Sequence, residues 1–390
     1  MSDVTTWRLL IVDDEKSLCD RVQEYLAGEF LPGSEDRLEV QGLTDFGAAL
    51  DTLQAHRFDI LILDVRLQTG DEMPEDEAGV TALNAIRQRR FVPVIFYTGL
   101  PHLVRHLQSP FVQVIEKEPK FDRLLQAIRD IHASRLPLVN RALLQHLETV
   151  QRIYMWGFVQ ANWDHFKDAP DRTALAYLLA RRLAISLSGP GIQQLARELG
   201  DPAGVAAIEG RVHPMQYYVM PPVEVTPLAG DLYQGAVANE DGYWLLLTPS
   251  CDMVAGREKA DWVLFARCVL LIEQPEYQKW REGLPQPPRQ AQGEFEALLR
   301  NNRQGKGVQS DRFHLLPGAL TLPDLVVDFQ QLITLPWSQI GNLKRLASLD
   351  SPFAEAVLSR FARYFGRLGT PDLDLDFTLT GLRGGSSPKI

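Results

Sequence analysis

Residues 58–64, FDILILD, decide how this chain is read. The run from Ile60 to Leu63 has no polar face, so the segment reads as a strand covered on both sides, as in a parallel sheet. It ends on a carboxylate, Asp64. Upstream, residues 8–14, RLLIVDD, repeat the pattern and end on two more carboxylates, Asp13 and Asp14. Downstream, residues 93–98, PVIFYT, end on the hydroxyl of Thr98, and residues 112–117, VQVIEK, end on the amine of Lys117. Residues 37–43 form a weaker strand between the first two.

Helical spacing fills the intervals. Leu18, Val22, Tyr25, Leu26 and Phe30 recur through 15–30, and Ala49, Leu50 and Leu53 share a face in 46–57. A third helix is expected around Val80–Arg89, and residues 121–133, FDRLLQAIRDIHA, make an amphipathic closing helix. Five alternations of strand and helix predict an α/β, doubly wound (βα)5 parallel sheet with right-handed crossovers. The active site of such a sheet lies beyond the carboxyl ends of its strands. Asp13, Asp14, Asp64, Thr98 and Lys117 all sit at those ends.

These residue types suit phosphoryl chemistry. Asp13, Asp14, Asp64 and the backbone carbonyl of Arg66 offer hard oxygen ligands of the kind Mg²⁺ takes. Asp64 is placed as a carboxylate nucleophile activated by position and metal. Lys117 can pair with a phosphoryl oxygen as a point charge, and Thr98 can donate its hydroxyl to another.

Residues 6–134 therefore resemble the receiver domains of bacterial response regulators. The resemblance implies that Asp64 is the phosphoacceptor, Asp13 and Asp14 the paired acids, Thr98 the switch hydroxyl and Lys117 the invariant-role lysine. It also implies a histidine kinase or a small phosphodonor as partner. Lys120 is the rival lysine, but it opens the next helix whereas Lys117 ends a strand. The sequence departs from the pattern twice. Three positions before the lysine, where receivers carry an aromatic switch residue, stands Val114; Tyr97, beside Thr98, is expected to pack. The loop after Asp64, QTGDEMPEDEAGV, is enlarged and carries Asp71, Glu72, Glu75, Asp76 and Glu77. It reads as a solvated loop, or as a docking surface.

The chain's 390 residues leave room for two or three domains. Its net charge of −10 is concentrated at the start: 23 acidic and 14 basic side chains fall in residues 1–134, leaving 27 and 26 in the rest. That balance argues against a protein built mainly to coat nucleic acid. No run of about 18 apolar residues suggests a membrane span, and the N-terminus lacks a secretory pattern, so a cytoplasmic location is expected. Three cysteines are too few for a disulfide framework.

Beyond the receiver the expected organisation is a helical connector or dimerisation region (135–205), an α+β effector domain with a β-rich core (206–370) and a flexible tail (371–390). Leu143, Leu147, Val150 and Tyr154 mark one connector helix, residues 172–187 a second and residues 192–199 a third. Short β-like runs follow at 217–219, 231–237, 243–248, 262–272 and 314–335, with a hairpin turn at Asn239–Gly242. Residues 283–310, rich in Pro, Gln, Gly and Arg, read as a loop or an exposed insertion. Residues 351–367 read as a helix with Phe353, Val357, Phe361 and Phe365 on one face. The same helix is expected to carry Lys344, Arg345, Arg360, Arg363 and Arg367 opposite that aromatic face.

Cys251, Asp252 and His213 are the candidate residues of an effector site, nucleophilic or metal-binding. The competing reading is a structural corner or a ligand-binding rim, since a lone cysteine is more often a small packed residue. No helix-turn-helix, phosphate-binding glycine loop or paired metal motif stands out. The second half resembles uncharacterised C-terminal regions of bacterial signalling and anti-phage defence proteins, which supplies no mechanism. The expected function is a response regulator phosphorylated on Asp64 with Mg²⁺ that controls this effector through protein contacts, with homodimerisation through the connector and no membrane partner. No enzyme activity is expected beyond the receiver's own phosphorylation and dephosphorylation. The rivals are a phosphorylation-gated enzyme using Cys251 and a nucleic-acid-binding output using the basic helix.

Overall fold

A computed structural model describes residues 6–27, 29, 31, 36–65, 75–167, 173–187, 212–223, 225–303, 309–368 and 373–383. The chain divides into two compact units, Met1–Ala207 and Ile208–Ile390.

In the first unit, strands β1 (Thr6–Val12), β2 (Arg37–Leu43), β3 (Ile60–Leu63), β4 (Val94–Thr98) and β5 (Val112–Glu116) form a parallel sheet in the order β2-β1-β3-β4-β5. Helices α1 (Lys16–Ala27), α2 (Phe46–Ala55), α3 (Glu75–Arg87), α4 (Pro101–Val104) and α5 (Asp122–Ala133) connect and close it. The alternation of side chains along a strand explains the two cores. Leu9, Ile11, Ile60 and Ile62 face Leu18, Val22 and Leu26 of α1 and Leu124, Ile128 and Ile131 of α5. Leu10, Val12, Leu61 and Leu63 face Phe46 and Leu53 of α2 and Leu83 and Ile86 of α3. The continuous aliphatic runs of the sequence are what a sheet covered on both faces requires.

Helix α6 (Leu136–Ile153) follows α5 and passes into a π-helical turn, Tyr154–Val159; α7 (Trp163–Lys167) and α8 (Thr173–Ser186) come next. His146 of α6 lies 3.1 Å from the Ser186 carbonyl oxygen, joining α6 to α8. The third connector helix expected at 192–199 lies outside the described residues.

The second unit holds a seven-stranded antiparallel sheet in the order β10-β11-β9-β8-β7-β12-β6. Its strands are β6 (Tyr218–Val219), β7 (Asp231–Val237), β8 (Glu240–Leu246), β9 (Trp262–Leu270), β10 (Phe313–Leu316), β11 (Leu325–Pro336) and β12 (Lys344–Leu349). One face packs on Val357 and Tyr364 of helix α11 (Phe353–Phe365), and the other gathers Tyr233, Trp244, Phe265 and Leu335.

Four expectations are corrected here. The 283–310 segment is not all loop: Pro288 precedes a helix, α10 (Arg289–Leu299), which buries Ala291, Phe295 and Leu298. It packs beside α9 (Pro275–Glu282), where Trp280 stacks on Phe295 at 4.9 Å. The β7–β8 turn is Ala238–Asn239, both at positive φ (49° and 68°), and Gly242 lies within β8 opposite Gly235. Two positive φ values give the turn the right-handed twist of a two-residue hairpin. Along α11, Tyr364 is buried and Phe365 exposed, because the sheet meets the Val357–Tyr364 side of the helix. Finally, residues 375–383, within the expected tail, form helix α12 (Leu375–Arg383), whose Leu375, Phe377 and Leu382 are exposed.

Candidate phosphoryl site

Parallel pairing brings the ends of β1, β3, β4 and β5 side by side. The Asp13 amide donates to Leu43 O (3.1 Å), the Asp64 amide to Val12 O (3.0 Å) and the Lys117 amide to Thr98 O (2.9 Å). The strand ladders therefore continue into the residues that carry the polar groups, and their side chains are set by rigid elements.

The Lys117 ammonium lies between two buried carboxylates, 2.6 Å from Asp13 Oδ2 and 2.7 Å from Asp64 Oδ2. The second oxygen of each is also engaged. Asp13 Oδ1 accepts from the Glu15 amide (3.0 Å), and Asp64 Oδ1 from the Val65 amide (2.7 Å). Burial pushes the Asp13 carboxyl above its ordinary pKa, against the pull of Lys117. Burial works the other way on Lys117, but its hydrogen bonds to Asp13 and Asp64 outweigh it and hold the ammonium above its ordinary value.

Asp14, which is exposed, completes a group with Asp13 and Asp64 whose ligand oxygens lie within 4.8 Å of one another. Three carboxylates against one ammonium leave the cluster two charges short of neutrality. A donor set made only of carboxylate oxygens, partly open to solvent, fits a hard divalent cation such as Mg²⁺. The Arg66 carbonyl lies outside the described residues, as do Asp71 and Glu72 of the acidic loop.

Thr98 is fully buried and its Oγ1 accepts from the Leu100 amide at 3.1 Å, so the hydroxyl is tied to the loop leaving β4. Tyr97 packs, as the sequence suggested: it is 2% exposed, and its hydroxyl donates to Glu118 O at 3.2 Å. Val114 packs in the α2–α3 core. Lys120 is exposed. A residue the sequence reading passed over is Cys19 on α1, whose thiol donates to Asp13 O and Leu43 O (both 3.7 Å). Burial pushes that thiol up to about 11. It thus supports the turn that carries Asp13 and stays protonated.

The effector candidates are placed differently. Cys251 is exposed and its Sγ lies 3.6 Å from Asp252 Oδ1. His213 caps the turn Pro214–Tyr217, its Nδ1 accepting from the Met215 amide at 3.2 Å. Among the described residues no hydrogen bond joins His213 to Cys251 or Asp252, and the His, Cys, Asp and Glu side chains converge on a candidate ion position only at Asp13, Asp14 and Asp64. The basic set is largely engaged. Lys344 and Arg345 belong to β12 and not to the helix, and Arg345 pairs with the buried Asp231 at 2.7 Å. Arg360 and Arg363 pair with Asp311, and Arg367 lies over the Tyr364 ring. No described helix is long and apolar enough to cross a membrane.

Residues 9–129 match the family of response regulator receiver domains. Among solved structures, the chain is similar to the response regulator TrrA from Thermotoga maritima in complex with Mg²⁺-BeF, at 21% identity over 32% of this chain and 98% of that one, with a TM-score of 0.25. It is similar to the HemR receiver domain from Leptospira biflexa at 22% identity over 32% of this chain and 94% of that one (TM-score 0.26). The chemotaxis response regulator CheY4 of Vibrio cholerae shares 23% identity over 33% of this chain and 99% of that one (TM-score 0.24). No curated protein matches the chain. The N-terminal unit thus contains a receiver domain.

Proposed function

We propose that this chain is a two-component response regulator whose Asp64 accepts a phosphoryl group from a histidine kinase or a small phosphodonor, and that residues 208–390 are the output it controls. The observation that carries the reading is the position of Lys117, bridging buried Asp13 and Asp64 beside exposed Asp14.

The chemistry follows from the groups present. Asp13, Asp14 and Asp64 would hold Mg²⁺, which when bound offsets the negative charge of the incoming phosphoryl oxygens. A carboxylate oxygen of Asp64 forms the new bond to phosphorus. The bond from phosphorus to the donor, to nitrogen of a phosphohistidine or oxygen of an acyl phosphate, breaks with its electron pair left on the donor. Lys117 then exchanges its contact with the Asp64 carboxylate for one with a phosphoryl oxygen. Thr98 turns its hydroxyl toward another, changing its bond with the Leu100 amide and hence the loop after β4. With valine at 114 and Tyr97 packed, that loop carries the readout without an aromatic partner.

The α6–α8 region is proposed as connector and dimerisation region, supported by the exposure of Trp156, Trp163, Tyr177 and Ile185. Control of the output is proposed to run through protein contacts in the cytoplasm of a bacterium, with stress or anti-phage defence signalling as the first context to test. Hydrogen exchange on the full chain tests the control: acetyl phosphate with Mg²⁺ should change protection within residues 208–390 in the wild type and not in Asp64→Asn. Identical exchange in both would overturn it.

A further inference from the structure

We propose a second ligand site at the end of the parallel sheet opposite Asp64, built for a phosphorylated molecule with a flat ring, of the nucleotide class. The sheet's amino-terminal edge and α6 line a half-open cleft of about 320 Å³ there. That is the size range in which small-molecule sites begin, roughly 300 Å³. A second space of about 220 Å³ shares Arg8, Arg57 and Phe58 with it and extends the room.

The cleft's charge is one-sided. Arg8 lines it from β1, Arg57 from the segment before β3, Arg90 from the segment after α3 and Arg141 from α6; Asp59 is the one acid in its lining, and Glu39 lines the adjoining space. Asp59 is already taken: Arg141 grips both of its oxygens and the Arg8 amide donates to it at 2.8 Å. That shielded pair fixes the back of the site. Of the other three guanidiniums, two sit in solvent-exposed ion pairs and one on backbone carbonyls. Arg8 meets Glu39 at 3.4 Å and Arg57 meets Glu148, both in exposed pairs that contribute little. Arg90 donates to the carbonyls of His56 (2.5 Å) and Gln54 (3.4 Å) and has no carboxylate in ion-pair range among the described residues. Planar guanidiniums that a ligand can recruit from weak partners suit a phosphate group.

The rest of the lining suits a ring. Phe58 and Phe91 offer aromatic surface, Phe91 being 42% exposed, and Asn140 and Gln145 of α6 offer amides for a ring edge. A ligand touching both walls would fasten α6 to the sheet, so occupancy would report on the connector independently of Asp64.

Calorimetric titration of the full chain tests this, with ADP and inorganic phosphate as separate probes and EDTA present so that no metal-bound nucleotide sits at Asp64. ADP should bind saturably and more tightly than phosphate, and weaken by about tenfold or more in Arg57→Gln/Arg90→Gln. Asp64→Asn should bind ADP like the wild type. Should the double variant fail to fold, amide shifts on the wild type decide: ADP-induced shifts at Phe58, Phe91 and Asn140 support the site, and shifts confined elsewhere overturn it. No saturable ADP binding, equal binding by the double variant, loss of binding in Asp64→Asn, or phosphate binding as tightly as ADP would each overturn the proposal.

Discussion

Lys117 Nζ lies 2.7 Å from Asp64 Oδ2 and reaches the carboxylate at the end of β3 from β5, two strands away, with Asp13 closing the contact at 2.6 Å. This bridge sets the charge of the site before any phosphoryl group arrives. It also makes Lys117 a competitor of the cation, because both are attracted to the same two carboxylates.

Replacing Lys117 with methionine should expose that competition. Without Mg²⁺ the variant leaves Asp13 and Asp64 buried and uncompensated, at a cost of about 3–5 kcal/mol. Mg²⁺ should then raise the unfolding midpoint of Lys117→Met more than that of the wild type, and phosphorylation should be slower. Thermal unfolding with and without Mg²⁺ checks the first expectation; an equal rise in both proteins would count against it.

Thr98→Ala should separate chemistry from readout. Asp64 should still accept phosphoryl groups, but the phosphorylation-dependent shifts of the Gly99 and Leu100 amides should vanish, since Thr98 Oγ1 is the acceptor that ties the Leu100 amide. Amide spectra before and after acetyl phosphate measure this directly.

Much of the site was legible in the sequence because it depends on local pattern. Apolar runs such as Ile60–Leu63 specify covered strands, and the polar residue ending each run falls at the carboxyl edge. The bridge from Lys117 to Asp13 was less visible, because it depends on strand order, which sets β5 three places from β1. In the second unit the signals are tertiary. Helix Arg289–Leu299 hid in a Pro- and Gln-rich segment because only three of its side chains are buried. The turn at Ala238–Asn239 hid because alanine gives no hint of positive φ. Tyr364 packs inward in place of Phe365 because the sheet selects the face, and helical spacing alone allows both.

That turn gives a stability prediction. Ala238 sits at φ 49°, a conformation that costs an L-residue with a Cβ roughly 1 kcal/mol. Ala238→Gly should therefore raise the stability of the second unit by up to about 1 kcal/mol, read from the denaturant midpoint.

His314, on β10, supplies a pH dependence. Burial, aided by the nearby Arg360 charge, lowers it from 6.5 to about 4. Between those values the unfolded chain binds a proton that the native state refuses. Stability should thus fall as pH drops from about 6.5 to about 4, by at most about 3 kcal/mol. A proton NMR titration of the His314 ring should show no charging above about pH 5; a midpoint near 6.5 would contradict its burial.

The most direct test of the central claim is the intact mass of the full chain after incubation with acetyl phosphate and Mg²⁺. The wild type should gain one phosphoryl group, lost on adding base as an acyl phosphate is, and Asp64→Asn should gain none. A wild type that stays unmodified, or an Asp64→Asn variant modified to the same extent, would contradict the assignment of Asp64 as the phosphoacceptor.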